Sequence, residues 1–243
     1  MSTALEPEPA FVLHSRPYRE TSALIDFFSR HYGRFRVVAK GVRSGKKNSR
    51  ILAPYTPLLI TWTGKSELKT LKHFESSGSP IILQGDRLYC GFYLNELLLR
   101  LLPEHDAHTD LFDQYLHVLT KLANSQIPME PSLRTFEFNL LDDIGYGLVL
   151  DTDSETGDAI IAENSYWFDP LVGFTLKENL NACENINPSQ KGTNLFSGKE
   201  LLAIHSGHLE TPEIASTAKR LMRLAFQPHI GNVPLKSRAL FKK

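Results

Sequence analysis

Only two cysteines, Cys90 and Cys183, occur in 243 residues, and no CxxC pair is present. A disulfide framework and a four-ligand zinc site are thereby excluded, and both residues read as free thiols. The nine histidines are scattered, and no HExxH spacing sets two of them on one helical face as metal ligands. No apolar run approaches the roughly 18 residues of a membrane span. The opening MSTALEPEPAF carries acids where a secretory signal carries positive charge, so the chain is expected to be soluble and cytoplasmic.

Chemistry-bearing motifs are equally scarce. GVRSGKK has three residues between Gly41 and Gly45 where a phosphate-binding loop needs four, and Lys47 stands where a metal-binding hydroxyl belongs. DTDSETGDAIIAE places Asp151, Asp153 and Glu155 like a calcium loop, yet Gly157 comes one position late and Ala162 replaces the bidentate glutamate. Asp142 and Asp143 are adjacent on a helix and point apart, which does not make a shared acid–base site. No Ser or Cys has a base at a recognisable spacing, and no catalytic residue, cofactor or metal is expected.

What the chain does have is charge asymmetry hidden by a net charge of zero. Residues 11–50 hold ten Lys or Arg against Glu20 and Asp26, a net of +8; residues 101–214 net −14; residues 215–243 net +7. Such a distribution points to a polyanion at the basic ends, or to lobes of opposite sign pairing within the molecule.

Five short apolar runs, AFVLHSR, ALIDFFSR, RFRVVAKG, PYTPLLITWT and ELKTLKHFE, predict strands between residues 10 and 75. His31-Tyr32-Gly33 and Gly64-Lys65-Ser66 are compact enough for hairpins, while GVRSGKKNSRILA is basic and polar and is expected as an exposed, mobile loop. Five strands in this length suit an OB-type barrel, with an SH3-like barrel as the alternative. Arg34 and Arg36 alternate on one strand and project from one face, opposite Phe35 and Val37. Lys40, Arg43, Lys46, Lys47 and Arg50 continue the charge into the loop, and Tyr18, Tyr32, Tyr55 or Trp62 are available to stack an unpaired base.

After Pro80 the period becomes helical. DRLYCGFYLNELLLRLLP sets Leu88, Phe92, Leu94, Leu97, Leu98, Leu101 and Leu102 at helical spacing, and Pro103 stops it. HTDLFDQYLHVLTKLAN places Leu111, Phe112, Tyr115, Leu116, Leu119 and Leu122 on one face, with Thr109 or Asp110 as cap. PSLRTFEFNLLDDI starts near Ser132 and ends at Gly145-Tyr146-Gly147; the three helices are expected to form a bundle. Residues 148–196 read as an irregular or partly β insertion. SGKELLAIHSG is again helical, and so is TPEIASTAKRLMRLAFQPHI, where Thr211 and Pro212 mark the start and Pro228 the end.

The string RPYRETSALIDFFSRHYGRFRVVAKGVRSGKK resembles the N-terminal domain of the RecO family. YCGFYLNELLLRLLPEHDAHTDLFDQYLHVLTKLA, LRTFEFNLLDDIGYG and RLMRLAFQPHIGNVPLKSRALF are similar to later segments of that family, in order, over about residues 10–241. The resemblance implies an α+β chain: an OB-fold over residues 1–80 and an α-helical domain with an irregular insertion over residues 81–243. It also implies a nucleoid-associated DNA-repair mediator that binds single- and double-stranded DNA and anneals complementary strands. With RecR, such a protein helps RecA replace single-strand-binding protein. Carried over by position, the DNA surface is Arg16, Arg19, Arg34, Arg36, Lys40, Arg43, Lys46 and Lys47. Arg134 is the candidate contact for the acidic tail of single-strand-binding protein, with an internal salt bridge to Glu137 or Asp110 as the competing account. Some family members carry a four-cysteine zinc element across residues 148–196; this chain has only Cys183 there, so zinc is not expected. The basic tail, with Lys219, Arg220, Arg223, Lys236 and Arg238, either extends the DNA surface or binds the acidic middle. A different reading of the same barrel is an RNA-binding protein of translation or decay.

Overall fold

The computed structural model describes residues 6–44, 50–64, 68–178, 193–231 and 233–241. They fall into two compact units, Met1–Ile127 with Pro234–Lys243, and Pro128–Val233. No helix among the described residues is long and apolar enough to cross a membrane.

In the first unit β1 (Glu8–Tyr18), β2 (Ser22–Ser29), β3 (Gly33–Ala39), β4 (Leu58–Thr63) and β5 (Lys69–Ser76) close a barrel in the order β1-β2-β3-β5-β4. Neighbours are antiparallel except β3 and β5, which meet in parallel only at Val37–Lys69 and Val38–Thr70. This is an OB-fold. Side-chain alternation fills the interior with Ala10, Val12, Ile25, Phe27, Phe35, Val37, Ile60 and Trp62. Two described positions in the link between β3 and β4 depart from the exposed loop that its polarity predicts. Val42, in a 3-10 turn (Val42–Ser44), and Leu52 both enter the barrel core. Val42 alone and the Ile51–Leu52 pair leave no periodic signal in a basic stretch, yet Val42 and Leu52 each gain about 1.5–3 kcal/mol by burial.

β2 is buried along its whole length because both of its faces are covered. Phe27 points into the barrel; Phe28 points outward, opposite Phe11 of β1. That outer pair meets Phe112 and Tyr115 of α2 (Thr109–Ala123), with ring centroids 5.3–6.0 Å apart. From α1 (Asp86–Leu101) the buried Asn95 completes the contact, donating to the Leu13 carbonyl at 2.9 Å and accepting from the Tyr115 hydroxyl at 2.5 Å. Burial raises the Tyr115 phenol far above its ordinary range, with Tyr55 adding to the effect, so it stays a donor. Phe92 and Leu116, expected on the apolar faces, lie outside these contacts and are 39% and 37% exposed. Thr109 does not cap α2: His108 is the N-cap, and the Thr109 hydroxyl donates instead to the Arg30 carbonyl at 3.2 Å.

The chain returns to α1 at its far end, where a 3-10 turn (Lys236–Phe241) is captured by one carboxylate. Glu96 accepts from the Lys236 amide (2.9 Å), the Ser237 amide (2.8 Å) and the Ser237 hydroxyl (2.6 Å). Arg100 donates to the Pro234 carbonyl at 3.1 Å, and Leu235 is buried. Burial alone would raise the Glu96 pKa, but these hydrogen bonds and Arg100 hold it below the ordinary carboxylate range.

The second unit holds α3 (Met129–Asp143), a three-stranded sheet in the order β7-β6-β8, α4 (Gly198–His205) and α5 (Pro212–Ile230). The strands are β6 (Ser165–Asp169), β7 (Gly173–Leu176) and β8 (Leu195–Ser197), so the expected insertion is partly β. Phe168, Phe174 and Phe196 form its ring cluster. The calcium-like loop is organised by its own carboxylate. Asp153, 3% exposed, accepts from the amides of Glu155, Thr156 and Leu176 at 2.7–3.1 Å. The predicted three-helix bundle is divided, α1 and α2 belonging to the barrel unit and α3 to this one. Ser132 lies one turn inside α3, which starts after Pro128, and its hydroxyl donates to the Pro128 carbonyl. Thr211 caps α5 as predicted, but Pro228 sits within its last turn, where a missing N–H costs a single ladder bond.

Two outcomes test this packing. Asn95→Ala removes the acceptor of Tyr115 and the donor to Leu13, and urea denaturation should show a loss of about 2–6 kcal/mol, at about 1–3 per affected partner. The Glu96 contribution is complete at neutral pH and should fade as pH falls below about 4.3 and through the lowered folded value. The protection of the Lys236 and Ser237 amides against exchange, relative to their intrinsic rates, should fall over that range, and Glu96→Gln should abolish the acid dependence.

Candidate nucleic-acid interface

The barrel's cations divide into two groups, according to whether a carboxylate reaches them. Toward the β2–β3 hairpin they are spent on the protein itself. Arg34 donates from Nε to the Leu102 carbonyl at 2.9 Å and from Nη1 to Glu104 at 3.0 Å. Its own carbonyl accepts from the His105 amide at 2.8 Å, so the segment after α1 runs against the N-terminal half of β3. Gly33, at φ 64°, is needed there, because a Cβ would fall 1.6 Å from the Asp106 carbonyl oxygen. Arg30 pairs with Asp113 at 2.6 Å. Two registers along, Arg36 binds one oxygen of the buried Asp26 through Nε (2.8 Å) and Nη2 (2.7 Å), while His14 lies 3.8 Å from the other oxygen. His14, Asp26 and Arg36 thus form a row across β1, β2 and β3.

At the opposite end, where β1 turns into β2 and β3 runs out, the cations are free of carboxylates. Arg16, Arg19, Lys40 and Arg43 there, and Arg50 in the link to β4, are all exposed, and among the described residues none has an acidic partner. The backbone gathers the first four. Tyr18 pairs with Ser22 across the β1–β2 turn, Ala39 pairs with Ala23 just before Lys40, and the Arg43 amide donates to the Thr21 carbonyl at 3.0 Å. The Arg43 guanidinium donates to the carbonyls of Arg19 and Glu20, each at 3.2 Å, which fixes the turn from above. Arg19 takes a left-handed conformation, φ 53°, and sets its guanidinium 5.2 Å from the centroid of the Tyr18 ring. Lys46 and Lys47 lie outside the described residues.

Of the four aromatics considered for base stacking, Tyr55 and Trp62 are buried, 4% and 1% exposed. Tyr32 is exposed but meets Trp62 edge to face at 5.0 Å, and Tyr18 is half-buried beside the free arginines. In the second unit Arg134 is 4% exposed and forms an ion pair with the fully buried Glu137 at 2.9 Å, with Glu130 at 3.8 Å. The tail cations are partly engaged: Lys219 with Glu130 at 2.8 Å, Arg220 with the carbonyls of Thr193 and Leu195. Cys90 is buried; Cys183 lies outside the described residues.

Comparison with known proteins bears on both halves of the chain. Residues 1–80 match the family described as recombination protein O N terminal, and residues 83–239 match recombination protein O C terminal. A DNA repair protein RecO from Stutzerimonas stutzeri (strain A1501) is 46% identical over 234 residues, covering 96% of this chain and 92% of the relative. Proteins of the same name from Glaesserella parasuis serovar 5 (strain SH0165) and Methylococcus capsulatus (strain ATCC 33009 / NCIMB 11132 / Bath) are 42% and 41% identical. Each match covers 96% of this chain, and 93% and 91% of the respective relative.

The two groups of cations should respond differently to truncation. Arg34→Ala should lower stability in urea by about 1.5–3 kcal/mol, the range for a hydrogen bond to a charged group, whereas Lys40→Ala should stay within about 0.5 kcal/mol.

Proposed function

The chain belongs to the recombination protein O (RecO) family of DNA repair proteins, and from that premise we propose that the end of its barrel at the β1–β2 turn, whose cations have no acidic partner among the described residues, is the DNA-binding surface. The observation that carries this reading is the set Arg16, Arg19, Lys40, Arg43 and Arg50, exposed and without an acidic partner among the described residues. Exposed guanidinium and ammonium groups attract phosphates and release their condensed counterions, on single strands and duplexes alike. Lys46 and Lys47 join them by sequence position. Arg36 contributes the side of its guanidinium that Asp26 leaves unused, and Arg34 acts indirectly by holding β3 to the segment after α1.

Annealing then follows from charge neutralisation. Two strands held on one cationic protein repel each other less, and complementary bases meet without ATP, metal or catalytic side chain. In this reading residues 1–80 hold the DNA and residues 81–243 receive protein partners. Those partners are RecR and the acidic tail of single-strand-binding protein, so that RecA can replace the latter. Arg134 remains available to such a tail only by exchanging its bond to Glu137.

A salt series with labelled single-stranded DNA is the direct test. Five neutralised phosphates give a slope of log affinity on log salt of about −3.5, at roughly 0.7 per contact. Reversing Arg16, Lys40 and Arg43 to Glu should flatten that slope by about 2 and abolish annealing at moderate salt. An unchanged slope would remove the barrel end from consideration, and preference for RNA over DNA in direct competition would redirect the assignment to RNA.

A further inference from the structure

Building on that reading of the barrel end, we propose that Tyr18 stacks an unpaired nucleobase and thereby sets the preference of the interface for single strands over duplex. Four observations converge on this residue. Alternation after the irregularity at Val12–His14 puts His14, Arg16 and Tyr18 on one side of β1, so the ring shares its face with a free cation. Tyr18 ends the strand where the chain reverses, half-buried, in contrast to the core positions of Tyr55 and Trp62. Tyr32, the other exposed candidate, is flanked by side chains already engaged with carboxylates: Arg30 with Asp113 and His31 with Glu8.

The fourth observation is the turn. Arg19 adopts the left-handed region that glycine enters freely, at a cost of order 1 kcal/mol for a residue with a Cβ. That conformation brings its guanidinium over Tyr18, and Arg43 locks it by donating to the Arg19 and Glu20 carbonyls. One arginine therefore lies over the ring, a second shares its strand face and a third braces the turn. A phosphate can be held by the guanidiniums while the adjacent base lies against the ring, which is how single-strand sites combine charge with stacking. In a duplex each base is already stacked within the helix, so the ring adds little there and only the charge is used.

The test compares full-length Tyr18→Leu, which keeps apolar bulk, with Tyr18→Phe, which keeps the ring. Affinity is measured for a labelled oligothymidylate and for a blunt duplex of equal length. Tyr18→Leu should weaken single-strand binding by about 5- to 150-fold, the range for one base–aromatic stack, and change duplex binding by less than about twofold. Tyr18→Phe should bind both as the unchanged chain does. Equal losses on both ligands, or none on the single strand, would overturn the proposal. A measurement on the unchanged chain guards against a folding defect. Irradiation with a 5-iodouracil single strand should give an adduct on Tyr18, and adducts confined to other residues would overturn it too. The wider reading fails separately: if the reversal of Arg16, Lys40 and Arg43 leaves both affinities intact, the barrel end is not the interface at all. If that reversal abolishes binding while Tyr18→Leu does not discriminate, stacking alone is lost.

Discussion

The contact of Phe11 and Phe28 with Phe112 and Tyr115 is the constraint from which the rest of the barrel unit follows. It buries four rings against one another, each pair contributing about 0.5–1.5 kcal/mol beyond its area. It also decides which part of the outer barrel face is available. With α2 seated there, Asp113 reaches Arg30, and the segment before α2 brings Glu104 to Arg34. Toward the β1–β2 turn no helix supplies a carboxylate, and the cations stay unpaired among the described residues. The docking of one aromatic face thus partitions the electrostatics of the surface.

Much of the fold was legible because period and turn chemistry are local. The five barrel strands follow from short runs broken by Gly and Pro, and the start of α5 from Thr211-Pro212, since an N-cap oxygen and a proline at the first turn act within a few residues. Errors arose where a long-range partner overrode a local preference. Thr109 had a capping side chain but used it on Arg30; Val42 and Leu52 sat in a polar stretch yet filled the barrel; Leu116 kept helical phase with buried neighbours but stayed 37% exposed. The division of the three helices between units was equally invisible, because amphipathicity states that a face is buried and not what buries it.

The site was legible in type and less so in membership. Counting charge located a basic head, but alternation along β3 gave Arg34 and Arg36 equal standing with Arg16 and Lys40. What separates them is Glu104, 70 residues away from Arg34, and Asp26 on the neighbouring strand. Arg134 illustrates the same point in the second unit, where Glu137 one helical turn on takes the guanidinium. A cation's freedom depends on three-dimensional neighbours, and only the Arg134–Glu137 spacing announced one in advance.

The capture of residues 236 and 237 by Glu96 has a consequence for how the molecule is made. A ribosome emits the barrel, α1 and α2 first, then all of residues 128–233, and only afterwards the segment that seats on α1. The earlier unit therefore waits for its last piece while the later one completes itself, so the order of synthesis and the order of completion are opposite. Until then the α1 side chains Tyr89, Tyr93 and Glu96 lack their cover of Phe241, Arg238 and Ser237. During that interval a nascent chain offers a holdase chaperone a surface that the finished protein conceals.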